Sequence, residues 1–561
     1  MSKFTIYQVL PRLFGNENST NKHNGSIEEN GCGKFNHFTT KALNEIMSLG
    51  ITHIWYTGVI EHATQTDYSA FGIKKDYPAV VKGKAGSPYA IKDYYDVDPD
   101  LAENVENRMK EFQHLVTRTH KVGMKVIIDF VPNHVAREYH SDAKPKGVMD
   151  LGQNDDVNTA FSAQNNFYYL PGQAFNPQFE LDGYSEYPAK ATGNDQFTAS
   201  PSRNDWYETV KLNYGVDYQN GRKHHFDPIP DTWIKMRDIL LFWAKKKVDG
   251  FRCDMAEMVP VEFWHWAILQ VKAKYPEIIF IAEVYNPVEY RNYLSNGKFD
   301  YLYDKVGMYD KLRDVTSKNY PVRDITYAWQ ALGGIENQML NFLENHDEQR
   351  IGSGFFSGNG LYAKPAMIVA ATLTKAPVMI YFGQELGEQG MGIAGFSGLD
   401  GRTTIFDYRS ISSVRSWVNN AKFNEELLSS EQKELRNFYK KLLNITLNEK
   451  AITDGKMFDL EYANYDNHFF NSHEQYAYFR QYKHELLLIV LNFDDKCLMT
   501  EVKLPVESFQ YLNITEFETY SCKNLLDENE EIENILLSSK NVFRTEVPAW
   551  TGKIFKLDKV K

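Results

Sequence analysis

The chain has little cysteine, no long apolar run and no excess of basic charge, and each shortage excludes a class of protein. Its four cysteines, Cys32, Cys253, Cys497 and Cys522, are scattered without C-x-x-C spacing, so free thiols are expected rather than a disulfide framework. The longest apolar run, Leu486 to Leu491, is far too short to span a bilayer, which leaves no membrane anchor. A formal net charge of −12 without a long basic run argues against nucleic acid, because such binding depends on neutralising phosphates with Lys and Arg. Tandem repeats and low-complexity tracts are missing too. The opening Met1-Ser2-Lys3 runs directly into Phe4 to Leu10, which has the texture of a first strand rather than of a signal peptide, and a cytoplasmic location is expected.

What is present is a globular composition, 43% hydrophobic and 24% charged, over 561 residues. That length implies a large body plus at least one smaller domain. The 35 Tyr, 35 Phe and 9 Trp supply flat apolar faces with polar handles, which suits a neutral, sugar-like ligand.

Helical and strand patterns alternate along most of the chain. Strands are expected to begin at Thr5, Thr52 and Lys125, and over Val248–Asp254, Ile278–Glu283, Phe299–Tyr303, Met339–Glu344 and Pro377–Phe382. Helical patterns lie between them: Thr40–Leu49, Glu103–Val122, and a segment that starts at Pro230-Asp231 with Trp233, Met236, Leu240 and Trp243 on one face. Eight such units predict an α/β fold, a (β/α)8 TIM barrel, with functional groups at the C-terminal ends of the strands. The rhythm breaks after the third strand into a stretch rich in Asn, Gly, Pro and aromatics, too long for a structureless loop. The expected organisation is a barrel over 1–134 and 231–450, an inserted subdomain over 135–230, and a C-terminal β-sandwich over 451–561, where short strand patterns alternate with polar turns. Ser429 with Gln432 forms a capping-box pattern before the last barrel helix.

Four strand ends carry polar clusters. The third ends Asp129-Phe130-Val131-Pro132-Asn133-His134, the fourth Gly250-Phe251-Arg252-Cys253-Asp254, the fifth Ala282-Glu283-Val284-Tyr285, and the seventh Glu344-Asn345-His346-Asp347. On a strand, Arg252 and Asp254 share a face, and the guanidinium is expected to hold that carboxylate ionised. Any one of these clusters has a structural explanation, but four converging on one barrel mouth do not.

Together they resemble the signature regions of the α-amylase family of glycoside hydrolases, D-x-x-x-N-H, G-F-R-x-D, a Glu ending the fifth strand, and N-H-D, over roughly residues 4–410. The resemblance implies a retaining mechanism in which Asp254 is the nucleophile, Glu283 the general acid/base and Asp347 a third carboxylate that binds and distorts the sugar. It also implies sugar contacts from Tyr89, Asp129, His134, Arg252, Tyr285 and His346. A retaining glycosidase needs one ionised carboxylate and one protonated one, and burial among negative neighbours is expected to raise the pKa of Glu283. The chain departs from the family pattern at Pro88-Tyr89-Ala90, and at Glu257-Met258, where a Lys-His pair is common.

Many family members hold calcium through the Asn of D-x-x-x-N-H and an Asp in a segment resembling x-D-L-N. Here that segment reads Val210-Lys211-Leu212-Asn213. An ammonium in place of a carboxylate removes a ligand and repels the ion, so no metal and no cofactor is expected; Lys211 would instead donate to Asn133 and neighbouring carbonyls. The leading expectation is hydrolysis of α-glucosidic bonds, chiefly α-1,4, in maltooligosaccharides or starch-derived glucans. Transglycosylation through the same intermediate is one alternative, and a non-catalytic carbohydrate-binding protein on the same fold is another.

Overall fold

Alternating apolar residues place two cores on the two sides of each barrel strand. The computed structural model describes residues 3–393, 398–527 and 529–560. Eight parallel strands close into a barrel: β1 Thr5–Val9, β2 His53–Tyr56, β3 Lys125–Phe130, β4 Gly250–Cys253, β5 Ile279–Ala282, β6 Tyr301–Tyr303, β7 Met339–Phe342 and β8 Val378–Tyr381, each bonded to its neighbours in sequence and β8 to β1. Ile6, Trp55, Ile127, Ile281, Leu340, Phe342 and Met379 fill the interior. Residues of the opposite phase, such as Tyr7, Ile54, Val126, Ile128, Phe251 and Phe280, pack outward against the helices in the main core. Gly250 permits the close inner layer, because a Cβ there would stand 2.6 Å from Ile279 Cγ1.

All eight expected strands are present; those at Thr5 and Lys125 begin where expected, and the others are trimmed by one to three residues where the chain turns into a loop. One helix starts later than its periodicity predicts. Over Val105–Asn107 the backbone makes a 3-10 turn before the α-helix Arg108–Lys121, because Asn104 accepts from the N–H groups of Glu106 and Asn107. Glu111 accepts from the N–H groups of Glu103 and Asn104, and local side-chain acceptors of this kind compete with the helix.

Between β3 and the helix Asp231–Lys245 the chain forms short antiparallel pairs, His134–Ala136 with Thr209–Lys211, Tyr169–Leu170 with Ala189–Lys190, and Val216–Asp217 with Lys223–His224. Leu170, Phe175, Tyr184, Ala189 and Ala199 give this stretch a small core. After the helix Ser430–Asn448, which the Ser429–Gln432 capping box opens, a six-stranded antiparallel sheet and a two-stranded partner enclose a separate apolar cluster. The four cysteines are free, and only Cys497 is exposed. No helix among the described residues is long and apolar enough to cross a membrane.

Candidate active site

The inner phase of the barrel strands turns from apolar to charged at the C-terminal end. Asp129 and Arg252 are register partners across β3 and β4, and two residues further along the same phase come Asp254 and, above Ile281, Glu283. Arg252 is fully buried. Its Nη1 lies 2.7 Å from Asp254 Oδ1 and 3.4 Å from Asp129 Oδ1, its Nη2 lies 2.9 Å from Glu283 Oε2, and its Nε donates to Tyr303 Oη at 3.1 Å. Trp55 Nε1 donates to Asp129 Oδ2 at 3.0 Å and steadies that carboxylate.

Glu283 is oriented from two further directions. Met255, held in the left-handed region at φ 42°, donates its backbone N–H to Oε2 at 2.7 Å. Such a conformation is costly for a side-chain-bearing residue, and here it aims a donor at the site. The Tyr285 hydroxyl donates to Oε1. Asp347 sits in an Asx turn, since Asn345 Oδ1 accepts its N–H at 2.8 Å. His346 Nε2 is 3.0 Å from Asp347 Oδ2, its Nδ1 is 2.8 Å from Gln8 Nε2, and its ring stacks on Tyr89 with centroids 5.1 Å apart. His134 is buried beside Asn133 and packs against Trp206 at 5.2 Å.

The electrostatics correct one expectation. Arg252 does not belong to Asp254 alone; its charge is divided among Asp254, Glu283 and Asp129. Burial first, with Glu283 and Asp347 adding to it, raises the Asp254 carboxyl well above its usual range despite the pull of Arg252. Burial and Glu283 push Asp347 up to about 7, and burial pushes Asp129 up to about 6 against Arg252. His134 falls to about 3 through burial and the charge of Lys211, and His346 falls well below its usual value through burial and Arg252. Both imidazoles are therefore neutral near pH 7; Gln8 Nε2 donates to Nδ1 of His346, which leaves that ring's one N–H on Nε2, facing Asp347.

A cavity of about 330 Å³ opens over this group, and Asp254, Glu283, Asp347, Tyr89, His134 and Tyr285 all reach it. Asp129 and Arg252 lie beneath, and Arg252 positions Asp254 and Glu283. Six contributors escape a reading by motif: Gln8, Trp55 and Tyr303 below the cavity, and Lys82, Trp206 and Glu208 on its walls. They lie outside the motifs, and only barrel closure and the folding of the inserted stretch bring them near.

Beside the site, Lys211 is 2% exposed. Its Nζ donates to Asn133 Oδ1 at 2.5 Å and to the Met258 carbonyl at 3.4 Å, and pairs with Asp195 Oδ1 at 2.6 Å. The first two contacts match the expected geometry; Asp195 is an addition. Among the described residues no group of three or more His, Cys, Asp or Glu is placed to hold a metal ion.

A model of the alpha-amylase catalytic domain matches residues 8–455. The chain belongs to the alpha-amylase family. Its relatives include a cyclomaltodextrin glucanotransferase of Bacillus licheniformis, 24% identical over 398 residues, which are 68% of this chain and 48% of that protein. Alpha-amylase 3 of Dictyoglomus thermophilum is 25% identical over 391 residues, 66% of this chain and 68% of that one. The chain thus spans about half the length of the first of these relatives. Among solved structures, an alpha-amylase of Geobacillus thermoleovorans in complex with acarbose superposes with a TM-score of 0.65 at 19% identity, covering 100% of this chain and 99% of that one. A maltogenic alpha-amylase of Thermotoga neapolitana gives 0.61 at 19%, covering 99% and 98%. These likenesses show that the alpha-amylase fold extends through the C-terminal sheet.

Proposed function

We propose that this member of the alpha-amylase family cleaves α-glucosidic bonds, chiefly α-1,4, in maltooligosaccharides or starch-derived glucans, with retention of configuration. The observation that carries this reading is the pair of carboxylates, Asp254 and Glu283, held by the two terminal nitrogens of one guanidinium. A double displacement uses carboxyls roughly 5 Å apart, and two carboxylates on the two ends of one guanidinium fit a short spacing of that kind. Asp254 attacks the anomeric carbon, Glu283 protonates the departing oxygen and then activates water, and Asp347 with neutral His134 and His346 holds the ring's hydroxyls. As substrate enters and water leaves, one proton must rest on Glu283 while Asp254 is charged. Arg252, close to both, stabilises the charged partner at either stage.

Transfer to a second sugar is the close alternative, because the same covalent intermediate is intercepted by a hydroxyl instead of water. Relatives named for hydrolysis and for transfer both match. Chromatography of products from maltoheptaose, pullulan, sucrose and trehalose separates the two: products longer than the donor mark transfer. Asp254→Asn and Glu283→Gln should each lower turnover about 10³-fold or more while leaving the melting temperature close to the parent's. Near-normal turnover in either folded variant would refute the assignment.

Lys211 supports a metal-free reading of the Asn133 position. An ammonium already pairs with Asn133, the Met258 carbonyl and Asp195, and its positive charge among these oxygens repels a divalent cation. Four unpaired cysteines fit a reducing compartment, and we place the enzyme in the cytoplasm on that ground.

A further inference from the structure

Two charged side chains on the cavity wall have no part in the chemistry above. In the closed ring β2 and β8 flank β1, which stands opposite β5, so the segments that follow β2 and β8 lie on the far side of the mouth from the strand that delivers Glu283. The segment after β2 contributes Lys82 to the cavity, and the one after β8 contributes Phe406; Glu208, from the stretch inserted after β3, lines the same cavity within the electrostatic reach of Lys82.

The wall is braced. Lys82 Nζ lies 4.4 Å from the Phe406 ring centroid. Gly83, at φ +70°, allows the two loops to touch, since a Cβ there would meet the Phe406 carbonyl oxygen at 2.3 Å. Ala85 donates its N–H to that same carbonyl at 3.0 Å, and buried Arg12 bridges the carbonyls of Ile405 and Gly86 at 2.8 and 3.2 Å. On the other side buried Arg137 donates to the carbonyls of Tyr207 and Thr209 at 2.7 and 3.1 Å, and its own N–H donates to the Glu208 carbonyl at 2.9 Å. Both charges are thereby held by rigid backbone.

Glu208 is only 6% exposed, yet its Oε2 has no hydrogen-bond partner among the described residues. Burial raises its pKa, and Lys82 is the strongest of the influences that favour its charged form. A desolvated acceptor without a donor is costly in the free protein, so this corner is built for donors that arrive with a ligand. Vicinal sugar hydroxyls supply what is missing, a donor for the carboxylate and an acceptor for the ammonium.

We propose that Glu208 and Lys82 are specificity-determining residues that grip hydroxyls at the non-reducing end of the glycone, so that the enzyme works from chain ends rather than from chain interiors. The proposal rests on the glycosidase reading, because Glu283, as acid, defines the leaving-group side and thereby makes the opposite wall the glycone side. A cavity of about 330 Å³, at the small end of ligand sites of roughly 300–1,000 Å³, agrees with a short site.

The test uses maltoheptaose with its non-reducing terminal 4- and 6-hydroxyls either free or tied as a cyclic acetal. The parent enzyme should cleave the free substrate at least about tenfold faster than the blocked one, since a site built around hydroxyls rejects a ligand that lacks them. Glu208→Gln, which keeps the shape, and Lys82→Met, on a partly exposed side chain, should each raise KM for the free substrate about tenfold with a smaller change in kcat. Both should also move the free-to-blocked ratio toward one. A merely structural role would not change that ratio. Equal cleavage of the two substrates by the parent, or variants that keep its KM and its ratio, would overturn the proposal and leave the glycosidase reading standing. Failure to cleave either substrate would overturn both.

Discussion

At the scale of single residues, the site is a crowd of acids around too little positive charge. Asp254, Glu283, Asp347 and Asp129 face one guanidinium, and burial makes each further negative charge harder to hold. Asp347 shows the consequence for stability. Its carboxyl is pushed up to about 7 in the folded protein, against about 3.9 in an unfolded chain. Below about pH 4 both states carry the proton and the group is neutral toward folding. As pH rises toward 7 the unfolded chain ionises first, so the folded state loses ground, and above 7 the loss is complete. Asp347→Asn should therefore raise the melting temperature by about 1–3 °C at pH 8 and by much less at pH 4. The gain is modest because the side chain is 32% exposed to the cavity, where water screens the repulsion. Calorimetry at the two pH values decides it; a gain that does not grow with pH counts against the repulsion.

Among elements, the decisive junction is between barrel and insert. The strand Thr209–Lys211 pairs with His134–Ala136, so His134 opposes Lys211 and the ammonium lands beside Asn133. Chelation with EDTA should then leave both activity and melting temperature unchanged. Lys211→Ala should cost about 3 kcal/mol, because it strands a buried amide oxygen and leaves Asp195 without its cation. Limited proteolysis within 137–208 should become faster in that variant. A melting temperature that falls by many degrees on chelation and recovers with calcium would sink this account.

Across the whole molecule, the C-terminal sheet is no detachable appendage. Along Glu485–Asn492, Leu487, Ile489 and Leu491 join the barrel's main core, while Leu486, Leu488 and Val490 face the sheet's own. Arg480, 2% exposed, donates from that sheet to the carbonyls of Leu373, Ala451, Ile452 and Gly455, and burial lowers its pKa to about 10. A chain ended at residue 450 would expose the barrel helix Lys364–Thr372, which is buried from Pro365 to Thr372, and would leave Leu373 without its donor. Such a fragment should accumulate as insoluble protein. A soluble fragment with a cooperative melting transition would show that the barrel stands alone.

The sequence by itself determined the eight strands, the helices that lead into β2, β3 and β4, the last barrel helix and the polar strand ends, because these follow from periodicities of 2 and 3.6 residues and from local caps such as Ser429 with Gln432. It also carried the substitution at Lys211, since a residue type at a motif position is legible without coordinates. Only the tertiary structure decided how Arg252 divides its charge. Asp254 is two residues away and visible as a partner, but Glu283 and Asp129 reach the guanidinium through neighbouring strands, and barrel closure sets those distances. The same holds for Gln8 against His346, 338 residues apart in the chain, and for Lys82 and Glu208 on the cavity wall. Desolvation belongs to the tertiary level too: the raised carboxyls of Asp254 and Asp347 follow from the amount of protein packed around them, which no local pattern records.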